Sequence, residues 1–168
     1  MYLHVYDSAP RAFPPWADVL LVYCDGQYEN LKWAQARFPN VRLLQCTVLG
    51  RPGVRVIDVE PGCVWPVSKA VELAQHEIAH RYRPWLYANG NTWDNELRPA
   101  LDHAMVSPAL YDSWLAEPDG VAEVPPGYQA KQYSWPEQHP VVPPGEGSQG
   151  YDVSVAWLEA VMWRPPAA

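Results

Sequence analysis

Val54-Arg55-Val56-Ile57-Asp58-Val59-Glu60-Pro61-Gly62 is the stretch whose reading decides the architecture of this chain. Val54, Val56, Ile57 and Val59 are apolar and β-branched, and Pro61-Gly62 ends the run, so it reads as a buried strand. Asp58 and Glu60 lie two residues apart, and on a strand their side chains share one face. An α/β barrel carries its catalytic rim at the C-terminal ends of its strands, which is where these two acids fall. Carboxyls held close in a partly dry site push their pKa values apart. One can then keep a proton as general acid while the other is charged. The competing reading is a salt-bridged or helix-capping pair at a strand end.

On the N-terminal side of this stretch, residues 3–8, 18–24 and 41–46 read as three further strands. Residues 28–38 have helical spacing, with Leu31, Ala34 and Phe38 on one side and Pro39-Asn40 as the stop. On the C-terminal side, residues 67–82 form the clearest helix, with Val67, Ala70, Val71, Ala74 and Ile78 as its apolar stripe. Residues 84–90 read as a strand and its loop, and a helix is expected within residues 92–106, its first turn limited by Pro99. Strands follow at 113–116, 128–133 and 151–153, and a closing helix at 155–163. Residues 134–150 form a Pro/Gly-rich loop long enough to act as a lid. The expectation is one domain spanning residues 1–168: an abbreviated TIM-like (β/α) barrel of α/β class, with about eight short strands and few helices. Antiparallel pairing is expected among the last strands, because parallel pairs need long crossovers.

The 168 residues suit one domain with a sizeable core. The formal net charge is -7 and no Lys/Arg cluster occurs, so a nucleic-acid partner is not expected. No apolar run is long enough to span a membrane. Nine Trp and ten Tyr stand against two Phe, a surplus of rings with polar handles that suits sugar sites and small cores alike. Cys24, Cys46 and Cys63 lack metal-ligand spacing and read as free thiols, with one disulfide left open. The N-terminus reads as a strand without the basic segment of a signal peptide, so synthesis in the cytoplasm is expected.

Four acids fall at or near predicted strand ends: Asp7, Asp58, Glu60 and Asp152. In a closed barrel the first and eighth strands are neighbours, so Asp7 and Asp152 would face the Asp58/Glu60 pair across the mouth. Asp25 follows the second strand and could join them, or serve the Asp25-Gly26 turn.

With these pieces in order, the chain resembles the glycoside hydrolase family 25 lysozymes, and more closely their short actinobacterial and phage relatives. The matching pieces are Asp7-Ser8, Asp58-Val59-Glu60, Leu86-Tyr87-Ala88-Asn89 followed by Trp93, Trp114-Leu115-Ala116, Gln132-Tyr133 and Tyr151-Asp152-Val153-Ser154. The resemblance implies cleavage of the β-1,4 bond between N-acetylmuramic acid and N-acetylglucosamine in peptidoglycan, without a cofactor or resident metal. Glu60 then looks like the general acid. Asp58 would stabilise the developing charge or orient an acetamido group, and Asp7 and Asp152 would set the field and hold sugar or water. Tyr23, Tyr87, Trp93, Trp114 and Tyr133 are candidates for sugar stacking and ring hydrogen bonds, and Asn89 and Gln132 for sugar hydrogen bonds. Peptidoglycan or a related cell-wall glycan is the expected partner, reached after lysis, by export or within a phage virion. The chain departs from the family in its short length, its reduced groove loops and its Tyr23-Cys24-Asp25-Gly26 segment. A non-catalytic glycan-binding or virion structural protein on the same fold is therefore the second reading.

His76-Glu77-Ile78-Ala79-His80 matches the His-Glu-x-x-His zinc pattern, whose i and i+4 histidines can chelate. The helix is expected to clad the outside of the barrel, and no third ligand is evident. A solvated helix face is the expectation there, with a zinc peptidase as the third reading.

Overall fold

The computed structural model describes residues 1–8, 13–134 and 151–162. Eight strands close a barrel in chain order: β1 (Tyr2–Asp7), β2 (Val19–Tyr23), β3 (Arg42–Thr47), β4 (Val56–Asp58), β5 (Trp85–Asn89), β6 (Asp112–Ala116), β7 (Ala130–Ser134) and β8 (Asp152–Trp157). Strands β1 to β7 pair in parallel, whereas β8 runs antiparallel to both β7 and β1. The helices are α1 (Leu31–Arg37), α2 (Val67–Ala79), α3 (Gly90–Thr92), α4 (Arg98–His103) and α5 (Leu158–Met162). This is the abbreviated barrel that the strand count predicts. Among the described residues, no helix is long and apolar enough to cross a membrane.

Several boundaries differ from the sequence expectations. The run 54–59 supplies only the three strand residues Val56–Asp58, and Glu60 lies in the turn that follows. In that turn Cys63 N–H donates to the Glu60 carbonyl at 2.9 Å and Val64 N–H to the Asp58 carbonyl at 3.0 Å. Gly62 supplies the required positive φ of 95°. Helix α1 starts late because Asn30 serves the strands: its Oδ1 accepts from Tyr23 N–H and its Nδ2 donates to the Ser8 carbonyl, both at 2.9 Å. Pro99 does not limit a first turn. A helical run continues from Gly90 to His103, its ladder widening to a π-helix at Trp93–Leu97, and Pro99 falls in the first turn of α4. The closing helix does not begin at Val155. There Val153 and Val155 alternate with Ser154 and Ala156, a period of two that extends β8 to Trp157 opposite β1. The lid expected at 134–150 lies, apart from Ser134, outside the described residues.

Strand alternation sorts the apolar side chains into three bodies. Val5, Leu21, Leu44, Val56, Trp85, Trp114, Ala130 and Ala156 fill the barrel interior. Ile57, Val59 and Leu86 face outward and pack under α2 and α4 through Val67, Ala70, Val71, Ala74, Leu97 and Leu101. Tyr6, Leu20, Val22, Ala34 and Tyr133 form a second outer layer. Each fully buried Val or Leu contributes about 1.5–3 kcal/mol, which is why these short strands hold.

The floor of the barrel is ionic. Arg83 Nη2 lies 2.9 Å from Asp112 Oδ1, and the Asp112 side chain is 1% exposed. Arg55 donates to the carbonyls of Ala160 and Val161, capping α5. Burial lowers the Arg55 pKa to about 10.

Helix α2 carries the His-Glu-x-x-His run, but Glu77 is not on a solvated face. It is 1% exposed. Its Oε1 accepts from Gly53 N–H at 2.8 Å and from His76 Nδ1 at 3.2 Å. The exposed rings of His76 and His80 lie 4.2 Å apart. Among the described residues, no group of three or more His, Cys, Asp or Glu is placed to hold a metal. Glu77 is thus a brace between α2 and the 50–53 connection. Glu77→Ala is expected to lower unfolding stability in urea by about 1 kcal/mol, because the part-buried hydrogen bond from Gly53 N–H is lost. Dialysis of the wild type against a chelator is expected to leave its melting temperature unchanged.

Candidate active site

Because seven strands run parallel, their C-terminal ends meet at one mouth, and β8 enters there. Asp7 ends β1, Asp152 starts β8, and the two are direct cross-strand partners. Asp58 ends β4, and the Pro61-Gly62 turn keeps Glu60 at the same opening. All four carboxyls line one cleft of about 580 Å³. Tyr23, Tyr87, Asn89 and Gln132 line it as well.

The carboxyls differ in depth. Asp7 and Asp58 are 8% and 7% exposed, whereas Glu60 and Asp152 are half-buried. Burial holds the Asp7 pKa well above the ordinary carboxylate value, and the charge of Asp152 adds to it; the 2.9 Å hydrogen bond from Tyr23 Oη opposes both. Burial, then the charge of Glu60, raises Asp58 to about 7, against a hydrogen bond from Cys63. Burial raises Glu60. Burial raises Asp152 to about 6, with Glu60 adding and a Gln132 hydrogen bond opposing. The cleft therefore holds protons near neutral pH, which a general acid requires. Burial also raises Tyr23 and Tyr87, so both hydroxyls stay protonated donors. Tyr87 Oη donates to Gln132 Oε1, and Asn89 Oδ1 accepts from Thr92 N–H at 2.9 Å, opening α3.

Three sequence candidates do not reach the cleft: Trp93, Trp114 and Tyr133, the last 1% exposed and packed in an outer layer. Trp114 is 1% exposed and points into the barrel at mid-height, where Ala130 and Ala156 leave room for its indole. Its Nε1–H donates to Ser154 Oγ at 3.2 Å, and its ring meets Trp85 edge-on at 5.4 Å. Trp93 is fully buried on the outer layer, where its Nε1–H donates to the Trp114 carbonyl at 3.1 Å. None of the three offers a face to a sugar. All fill core, as large rings do when strand and helix geometry turn them inward. Trp114→Phe is expected to cost about 2 kcal/mol in chemical denaturation through a lost hydrogen bond and a small cavity, without a selective loss of glycan affinity.

Asp25 also stays out of the cleft lining. It accepts from Thr47 Oγ1 and from Val48 N–H at 2.8 Å, tying the β2 and β3 loops together. Sequence reasoning missed Cys63, Tyr28 and Pro118, all of which line the cleft. The signal for Cys63 was the Pro61-Gly62 turn, which reverses the chain and returns the thiol to Asp58. All three cysteines are free. Pro118 is held by its loop: Lys131, 3% exposed on β7, donates to Asp119 at 2.8 Å and lies 3.5 Å from Glu117.

No protein-family model matches the chain, and no curated protein matches it. Among solved structures, it is similar to the 1.07 Å crystal structure of an uncharacterized B. stearothermophilus protein, with a TM-score of 0.65 and 13% identity over 94% of this chain and 97% of that one. At that identity the likeness carries the barrel fold alone.

Proposed function

We propose that this protein is a glycoside hydrolase that acts on peptidoglycan or a related cell-wall glycan, in the manner of the family 25 lysozymes. The observation that carries the reading is the convergence of Asp7, Asp58, Glu60 and Asp152 in one cleft, in environments that favour retained protons. Glu60 is the general acid. It is the less buried member of the β4-end pair, and so the better placed to meet a leaving oxygen. Asp58, nearly out of solvent, acts in its carboxylate form beside the anomeric carbon, where developing positive charge at short range is stabilised by the ionised carboxyl. Tyr23 holds Asp7, and Gln132 links Tyr87 to Asp152, so the walls are fixed before substrate arrives.

The test is release of reducing ends from purified peptidoglycan by the wild-type protein. Release supports the reading. Binding of wall glycan without release, by demonstrably folded protein on several wall types, would replace it with the non-catalytic glycan-binding one.

A further inference from the structure

Helix α2 ends in a pair of side chains that the cleft does not use. His76 and His80 are four residues apart, so they stand one turn from each other on the same exposed face, at the last turn and its cap. Their ring centroids are 4.2 Å apart and their planes differ by 33°. Hydrogen bonds fix which nitrogen of each ring is available. His80 Nδ1 lies 2.8 Å from the His76 carbonyl, which can only accept, so this nitrogen carries the ring proton. His76 Nδ1 lies 3.2 Å from Glu77 Oε1 and donates to it. In the neutral rings both Nε2 atoms therefore keep a free lone pair, and neither has a hydrogen-bond partner among the described residues.

Two neighbouring imidazoles with both Nε2 atoms free can chelate one ion. Metal–nitrogen bonds of about 2.0–2.1 Å each span rings at this separation without unwinding the helix. A ligating histidine ordinarily donates its other ring N–H to a carboxylate or a backbone carbonyl, which sets the tautomer and raises the basicity of the ligand. Here His76 has the carboxylate and His80 the carbonyl. Glu77 is itself fixed, since it is buried and its Oε1 accepts from Gly53 N–H at 2.8 Å. The pair also lies at the C-terminal end of a 13-residue helix, where the backbone carbonyls favour a cation. Among the described residues no third His, Cys, Asp or Glu joins the two rings, so water completes the coordination and the ion exchanges freely. We propose that His76 and His80 form a two-point site for a late first-row divalent cation, with Glu77 as its positioning residue. Neutral imidazoles select Ni²⁺, Cu²⁺ and Zn²⁺ over Mg²⁺ and Ca²⁺, which take oxygen ligands. The site stands apart from the glycan-directed reading of the cleft.

The experiment is calorimetric titration of the full chain with Ni²⁺ at about pH 7.5, where free imidazoles are largely neutral. Saturable binding of a single ion per chain is expected, and no binding of Mg²⁺ or Ca²⁺ under the same conditions. His76→Ala and His80→Ala are each expected to weaken Ni²⁺ by at least about tenfold, because a chelate loses its second arm. Glu77→Gln keeps an acceptor for Gly53 N–H but loses the carboxylate behind His76, and is expected to weaken Ni²⁺ by about 10- to 100-fold. His103→Ala, at an exposed histidine on α4 outside the pair, is expected to keep the wild-type affinity, which separates the pair from attachment to any surface imidazole. A nuclear magnetic resonance titration gives a second readout: paramagnetic Ni²⁺ is expected to broaden the ring signals of His76 and His80 before those of His103. Near-ultraviolet circular dichroism checks each fold, and both histidines are exposed, so their variants are expected to fold. Absence of saturable Ni²⁺ binding by the wild type, or unchanged affinity in either histidine variant, would overturn the site. Unchanged affinity in folded Glu77→Gln would overturn the positioning role of Glu77.

Discussion

Glu60→Gln is expected to lower release of reducing ends from purified peptidoglycan by about 100- to 10,000-fold, the usual contribution of a positioned general acid. The substitution keeps the shape and removes only the transferable proton. Glu60 is partly exposed and sits in a turn held by backbone hydrogen bonds from Cys63 and Val64, so the melting temperature is expected to stay close to that of the wild type. Affinity for a glycan fragment is expected to persist, which separates a lost proton donor from a lost binding surface. The pH profile supplies a second readout. Burial raises Glu60, so loss of activity with rising pH is expected above the ordinary glutamate range, and activity is expected to decline again as pH falls below about 7, where Asp58 takes up its proton. Unchanged release by Glu60→Gln would remove this residue from the chemistry, and loss confined to Asp58→Asn would exchange the two roles.

Asp58→Asn is expected to stabilise the protein at pH 8 by up to about 4 kcal/mol, read from urea midpoints, and by close to nothing at pH 4. The rise of the Asp58 pKa from 3.8 to about 7 on folding sets both the size and the sign. Between these values the folded state binds more protons than the unfolded one, so wild-type stability falls as pH rises. Above about 7 the folded protein carries the full cost of a buried carboxylate whose Oδ1 has no partner among the described residues. Below about 4 both states are largely protonated and the cost vanishes. A neutral side chain of the same shape removes it at high pH only. A variant no more stable than wild type at pH 8 would show that Asp58 is solvated or paired in solution, and would weaken the case for a proton-holding cleft. Gain of stability on removing a functional acid is the expected signature of a site kept strained for chemistry.

The barrel was legible because its signals are local. Runs of β-branched residues punctuated by Pro and Gly mark the strands, and the stripe of Val67, Ala70, Val71 and Ala74 marks α2. Chain order then brings β1 beside β8, and with it Asp7 beside Asp152. Strand ends in a parallel barrel converge, so the sequence alone suffices to place Asp7, Asp58, Glu60 and Asp152 at one opening.

What the local signals could not determine is which way a large ring points and how deep an acid sits. Trp93 follows the same sequence piece as Tyr87 and Trp114 heads the next one, yet of the three only Tyr87 reaches the cleft; the Trp114 indole packs into the interior with Ala130 and Ala156. Glu77 reads as part of a polar helix face, yet the fold buries it against the Gly53 backbone. Cys63 comes to Asp58 only through the turn at Gly62. The sequence by itself determined the strand order, the mouth and the identity of its acids, since these follow from periodicity and chain connectivity. Only the tertiary structure decided the burial that raises Asp58 to about 7, the hydrogen bonds that commit Tyr23 and Tyr87, and the Asp58 oxygen that has no partner among the described residues. Desolvation and hydrogen-bond partnership depend on atoms distant in the chain, and no local pattern encodes them.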